Sequence, residues 1–193
     1  GFPMFNNRGL LQLLVLHAGP TEFIYYWLHR WLHHHYLFSR YHSHHHASFV
    51  PEPITGSVHP FMEHIMYTAN FAIPLLGVFF LGNASVSMFY VYLLGFDFLN
   101  SIGHCNFEFI PRWFMSIPGM KYLIYTPSYH SLHHSRVHAN FCLFMPIYDH
   151  LFGTVDKSSD ILYERSISGH SVPVVAPDVV FMGHGTMLVS LFH

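Results

Sequence analysis

Apolar residues fall in three long stretches along the chain, with polar residues collected between and after them. Residues 10–28 are apolar apart from His17, Pro20 and Glu22. Residues 61–82 follow, interrupted by Glu63, His64, Asn70 and Pro74, and residues 84–103 carry Asp97 and Asn100 towards their end. Gly82-Asn83, between the last two, has the composition of a turn. As helices these two arms each span roughly 30 Å, the thickness of a bilayer's hydrocarbon core. The pattern predicts an all-α membrane helical bundle containing a hairpin; a hairpin buried in a soluble protein is the alternative. Pro51-Glu52-Pro53 predicts a loop. Thr126-Pro127 predicts a helix start, with a hydroxyl cap and proline at the first helical position. Residues 140–148 are again apolar. Beyond Asp156 the pattern fades, and the stretch after Ser171, broken by Pro173, Pro177, Asp178, Gly183 and Gly185, makes a poor membrane helix.

Histidine dominates the polar intervals. His29 and His33 are four apart; His42, His45 and His46 follow; His130, His133 and His134 repeat the second spacing far downstream. On a helical backbone each set shares one face, with Cβ atoms about 5–6 Å apart, so imidazoles can converge on one metal ion. Eight imidazoles are what two ions need with positions left open. Tags and low-complexity tracts repeat one residue, often at a terminus, whereas these groups are internal and set among Trp, Tyr, Leu and Phe. His34, His35 and His44 fall on other faces. His17, His64, His138, His150, His170, His184 and His193 read individually as structural.

The hairpin constrains the chemistry. Passing out and back, the chain returns to the side that holds His42–His46, so His104 and then His130–His134 emerge beside the earlier clusters. Arg30, Arg40, Arg112, Lys121, Arg136, Lys157 and Arg165 fall on that side too, and the hairpin tip has no Lys or Arg. The positive-inside rule then predicts a histidine cap on the cytosolic face. Glu22 precedes His29 by seven residues, and Asp97 precedes His104 by seven. Either carboxylate could orient a ligand imidazole, or sit neutral and hydrogen-bonded between helices.

Composition agrees. Only 9% of the 193 residues are charged, 51% are hydrophobic and 20 are histidine, against roughly 25% charged in an ordinary soluble domain. A net charge of −2 gives no case for nucleic-acid binding. Cys105 and Cys142 lack CxxC spacing, so neither a disulfide framework nor a zinc ribbon is indicated. The length predicts one domain: a membrane domain over residues 1–156, then a linker or the start of a truncated C-terminal region over 157–193. Because the chain begins at Gly1, further N-terminal helices are expected upstream.

Imidazole suits iron, copper, zinc and nickel alike. The pattern HxxxH, HxxHH, HxxHH resembles the integral-membrane fatty acid hydroxylase superfamily, matched by His29/His33, His42/His45/His46 and His130/His133/His134. That superfamily's isolated histidine matches His104, and His59 in Val58-His59-Pro60 resembles a histidine of its sterol-oxidase branch. Tyr41-His42-Ser43-His44-His45-His46, Gly103-His104-Cys105-Asn106-Phe107-Glu108 and Tyr125-Thr126-Pro127-Ser128-Tyr129-His130 are similar to the plant cuticular-wax aldehyde decarbonylase branch. The resemblance covers about residues 10 to 165.

It implies two iron ions in a non-haem di-iron centre, and conversion of very-long-chain aldehydes to alkanes one carbon shorter. It also implies O2, a cytochrome b5-type electron donor, a paralogous membrane partner, and a multi-pass protein of the endoplasmic reticulum membrane. The nine histidines from His29 to His134 named in these motifs are then the metal ligands, with His59, Glu108, Asp97 and Glu22 as further ligands or supports. Superfamily hydroxylases often carry a second histidine where this chain has Glu108. That carboxylate could bind metal, support a ligand, or pair with Arg112. Lipid hydroxylation or desaturation by the same centre stays open, as does a non-catalytic metal-binding membrane protein, whether transporter, buffer or inactive paralogue.

Overall fold

The computed structural model describes residues 1–168; the stretch after Ser171 and His170, His184 and His193 lie outside the described residues. Among these the chain is all-helical, without a strand. Helix α1 spans Asn7–Leu16, capped by the Asn6 side chain, which accepts from the Gly9 N–H. The first apolar stretch does not continue as one helix. A π-turn over His17–Thr21 containing Pro20 separates α1 from α2, Glu22–Leu32. Proline lacks the amide proton and its ring crowds the preceding turn, which explains the break. The Tyr148 hydroxyl also reaches the carbonyls of Ala18 and Gly19 in this turn, at 2.7 and 3.1 Å.

The second histidine segment departs from regular helix as well. A short α3 (His35–Leu37) leads into a π-turn over Phe38–His42 and 3₁₀ turns over His45–Ala47 and Pro53–Ser57. The two predicted arms are α4, Phe61–Phe80, and α5, Val86–Gly103, and Gly82 turns between them at φ +70°. Of the described helices, α5 is the one long and apolar enough to cross a membrane. Large apolar side chains stand exposed along both arms, among them Phe80 at 79% and Leu94 at 68%. Leu13 of α1 packs with Val78, Met88 and Tyr92, tying α1 to the hairpin.

Short helices α6 (Arg112–Met115) and α7 (Met120–Leu123) lead to α8, Pro127–Arg136. Thr126 caps α8 as its sequence predicts, its hydroxyl accepting from the Tyr129 N–H. Helices α9 (Ile147–Phe152) and α10 (Ser159–Ile167) complete the described chain. A second core of Tyr25, Leu32, Tyr67, Tyr125, Tyr129, Cys142, Leu143 and Phe144 lies directly beneath the histidines.

Candidate metal centre

Histidines from α2, the 38–47 turns, the end of α5 and α8 meet in two groups. His29, His33, His42, His46 and His133 form one; His45, His104, His130 and His134 form the other. Within each group the ligand nitrogens lie within 4.8 Å of one another. The HxxHH motifs are therefore shared out. His42 and His46 join the first group while His45 turns to the second, and His130 and His134 join the second while His133 turns to the first. Both motifs divide in the same way, the residues at i and i+4 going to one group and the residue at i+3 to the other, although one lies in irregular turns and the other on the regular helix α8.

Most of these rings are held from behind through Nδ1. His29 donates to Phe141 O at 2.8 Å, His133 to Ala139 O at 2.7 Å, His134 to Ser48 O at 3.1 Å and His104 to Asn100 O at 2.8 Å. His42 donates to Glu63 Oε1 at 2.6 Å. A carbonyl oxygen can only accept, so each of these imidazoles carries its proton on Nδ1 and leaves Nε2 bare. The bare Nε2 of His29 lies 3.0 Å from the bare Nε2 of His42, and the bare Nε2 of His104 lies 3.0 Å from Nε2 of His130, whose Nδ1 is buried without a partner. Nε2 of His33 and His133 is buried without a partner.

Lone pair against lone pair is repulsive until a cation sits between them. For imidazole–metal bonds of about 2.1 Å, ligands at a right angle are about 3.0 Å apart and tetrahedral ligands about 3.4 Å. The observed separations of 3.0 to 3.5 Å span both values, as nitrogens around a shared ion would. The donor set thus fits metal ions. Burial and the neighbouring imidazoles push the proton affinities down as well: His104 and His133 to about 4, each chiefly through desolvation, and His29, His42, His45, His46, His130 and His134 well below the ordinary value. All remain neutral, as metal ligands must be.

Other predicted residues take other places. His34, His35 and His44 are exposed. His59 belongs to neither group; it stacks on His45 at 4.6 Å. Glu108 is in neither group, and it does not pair with Arg112, which reaches Glu164 at 2.8 Å. The Glu108 carboxylate instead accepts from the N–H and hydroxyl of Ser128 at the start of α8. Glu22 does not reach His29. Fully buried, it accepts from Phe144 N–H at 3.1 Å and lies 3.4 Å from His17 Nε2. Asp97 stands on a groove wall, away from the ligand rings. Glu63 is the carboxylate that orients a histidine, and its place four residues after His59 gave no motif to find it by. Asp149, also buried, accepts from Phe141 and Cys142 N–H, both at 2.8 Å, and so fixes the loop whose carbonyls hold His29 and His133.

The groove is a cavity of about 310 Å³ between α4 and α5. His45, His104 and His130 of the four-histidine group line it, and none of the five-histidine group does. Gly56 makes room for one of them: a Cβ there would stand 2.7 Å from His104 Nδ1.

An all-helical bundle with two histidine groups that could hold metal ions defines the class: a histidine-rich helical protein built on a hairpin. The sequence profile described as fatty acid hydroxylase matches residues 14–154, and the chain belongs to that family. Similar proteins include the very-long-chain aldehyde decarbonylase GL1-4 of Oryza sativa subsp. indica, 52% identical over 99% of this chain. The very-long-chain aldehyde decarbonylase CER1 and the protein CER1-like 2, both of Arabidopsis thaliana, are 51% identical over the same share. The chain spans about 30% of the length of these relatives. No solved structure matches it.

Proposed function

We propose that this chain carries the catalytic centre of an enzyme that converts very-long-chain fatty aldehydes to alkanes one carbon shorter, using O2 and electrons from a cytochrome b5-type donor. The observation that carries the reading is the pair of inward-facing histidine groups, five and four strong, with one of them opening onto an apolar groove. The decarbonylase names of the relatives support the substrate and the product. The nine histidines are the ligands of two iron ions. The protein is multi-pass in the endoplasmic reticulum membrane, histidines towards the cytosol, and a paralogous membrane protein accompanies it.

Bound iron would supply Lewis-acid polarisation of the carbonyl and the redox chemistry that oxygen-dependent carbon–carbon cleavage requires. The chain supplies the rest. Backbone carbonyls and Glu63 fix the tautomers of His29, His42, His104, His133 and His134 and aim their Nε2 atoms inward. His45, His104 and His130 border the groove, so the reacting end of a lipid meets the four-histidine side. Phe71, Leu75, Leu93 and Phe96 line the groove and keep its tail dry.

The test is to load the full chain with ferrous ion in lipid nanodiscs, then add aldehyde, O2 and reductant. The expected result is two irons per chain and, by mass spectrometry, an alkane one carbon shorter. An alcohol or alkene as sole product assigns hydroxylation or desaturation instead. Bound metal with no O2 uptake assigns a non-catalytic metal protein.

A further inference from the structure

The groove between α4 and α5 does not stop at its apolar end. Its wall on α4 includes His64, Thr68, Ala72 and Leu75, and its wall on α5 includes Asn100, Phe96 and Leu93. A second cavity of about 420 Å³ carries on with Phe79 on α4 and Phe89 on α5. Positions three or four apart share one side of a helix, so each wall is one continuous stripe. Leu75 lines both cavities. It packs against the cluster that holds Met88 of the second cavity and Tyr92 of the first. Met88 and Tyr92 are buried, whereas Leu75 is half-buried and has room to turn.

The second cavity is more than a gap between two lipid-facing helices. Pro3 and Met4 cross the start of α5, where their carbonyls accept from Val86 and Ser87 N–H, both at 3.1 Å. The first turn of a helix leaves such donors without partners, so the crossing is anchored. It sets the Phe2 ring 6.0 Å from that of Phe79, and both line the cavity.

From His64 to Leu75 the helix rises about 16 Å, and to Phe79 about 22 Å. An extended hydrocarbon, with bonds of about 1.5 Å, advances about 1.3 Å per carbon. A tail of about twelve carbons therefore ends near Leu75, and a very long one either passes it or leaves sideways.

We propose that Leu75 is the residue past which the tail of a very-long-chain lipid runs from the groove into the second cavity, and that it thereby selects for chain length. The inference rests on the aldehyde reading above and adds the path of the tail. Bilayer hydrocarbon is as apolar as the cavity, so burial alone does not draw the tail in. Close packing between fixed walls does, and Leu75 decides whether that packing is reached.

The probe is a fatty alcohol of about 24 carbons with a diazirine at its far end. It is photolysed with the metal-loaded full chain in lipid nanodiscs, and labelled peptides are read by mass spectrometry. In the wild type the label should fall on the peptides of Phe2, Phe79, Met88 and Phe89, and excess unlabelled alcohol of the same length should compete it away. Leu75→Trp should lower that label about tenfold, the cost of overfilling a packed passage, with metal content unchanged. Leu75→Ala should keep the label. With aldehydes, Leu75→Trp should lower by about tenfold the ratio of kcat/KM for about 24 carbons to that for about twelve.

A wild-type label that misses the second cavity, or that does not compete, overturns the proposal whether or not the variants fold. A Leu75→Trp chain that keeps both label and ratio also overturns it, and means that the tail arrives by another route. Alkane formed while the label falls elsewhere leaves the enzymatic reading standing without this path. A competed label with no alkane leaves the path standing without that reading.

Discussion

The two histidine groups come from the same segments of chain, and their surroundings differ. The five-histidine group is closed from behind by Glu63, by the carbonyls of Ala139 and Phe141, and by the core beneath. The four-histidine group has one ligand fewer, and three of its members border the groove. Neighbours in sequence, such as His45 and His46, serve opposite groups. The difference teaches that a repeated motif does not make two equal sites. A saturated position suits holding an ion, and a position with a vacancy towards a groove suits meeting a ligand.

Acid is the harshest treatment and the one that should not separate the groups. His133 belongs to one and His104 to the other, and both are held to about 4 from an ordinary 6.5. Between those values the unfolded chain binds a proton at each site and the folded metal-free chain does not. Stability is therefore full above pH 6.5 and falls as the pH drops towards 4. Denaturant titrations of the metal-free chain at pH 7 and pH 5 measure this. Equal stability at both would show that the rings are not buried as described.

Removing a ligand should separate the groups. His134→Ala takes the second group from four ligands to three, whereas His46→Ala takes the first from five to four. Elemental analysis should give about one metal per chain for His134→Ala, and close to two for His46→Ala at saturating metal. Equal losses would end the claim that the groups differ. Glu63→Gln gives the smallest effect. It keeps the shape behind His42 and removes the charge, so affinity should fall about 10–100-fold at the five-histidine group alone. A loss at both groups would mean that they share one support.

Much of this was legible in the chain. The paired arms and their Gly82-Asn83 turn follow from hydropathy and turn chemistry, and the Thr126-Pro127 cap from local hydrogen bonding. The histidine spacing pointed to convergence but not to the sorting of His45 away from His42 and His46, or of His133 away from His130 and His134, because that depends on how the two segments face each other in the folded chain. Pro20 did mark a break, yet the three apolar stretches look alike in hydropathy. Glu63 was hidden inside an apolar run. Its partner His42 lies 21 positions earlier, and only the folded chain brings them together. Glu22 and Asp97 stood at the tempting seven-residue interval, but two helical turns are about 10 Å of rise, so a shared face does not bring the carboxylate to the ring.

The backbone carbonyls behind His29 and His133 belong to Phe141 and Ala139; Asp149 pins Phe141, and Glu22 pins Phe144 three residues further on. During synthesis, then, the early histidines leave the ribosome with nothing to hold their protons on the correct nitrogen. The five-histidine group is complete only once His133 and the segment through Asp149 have followed and folded back onto α2.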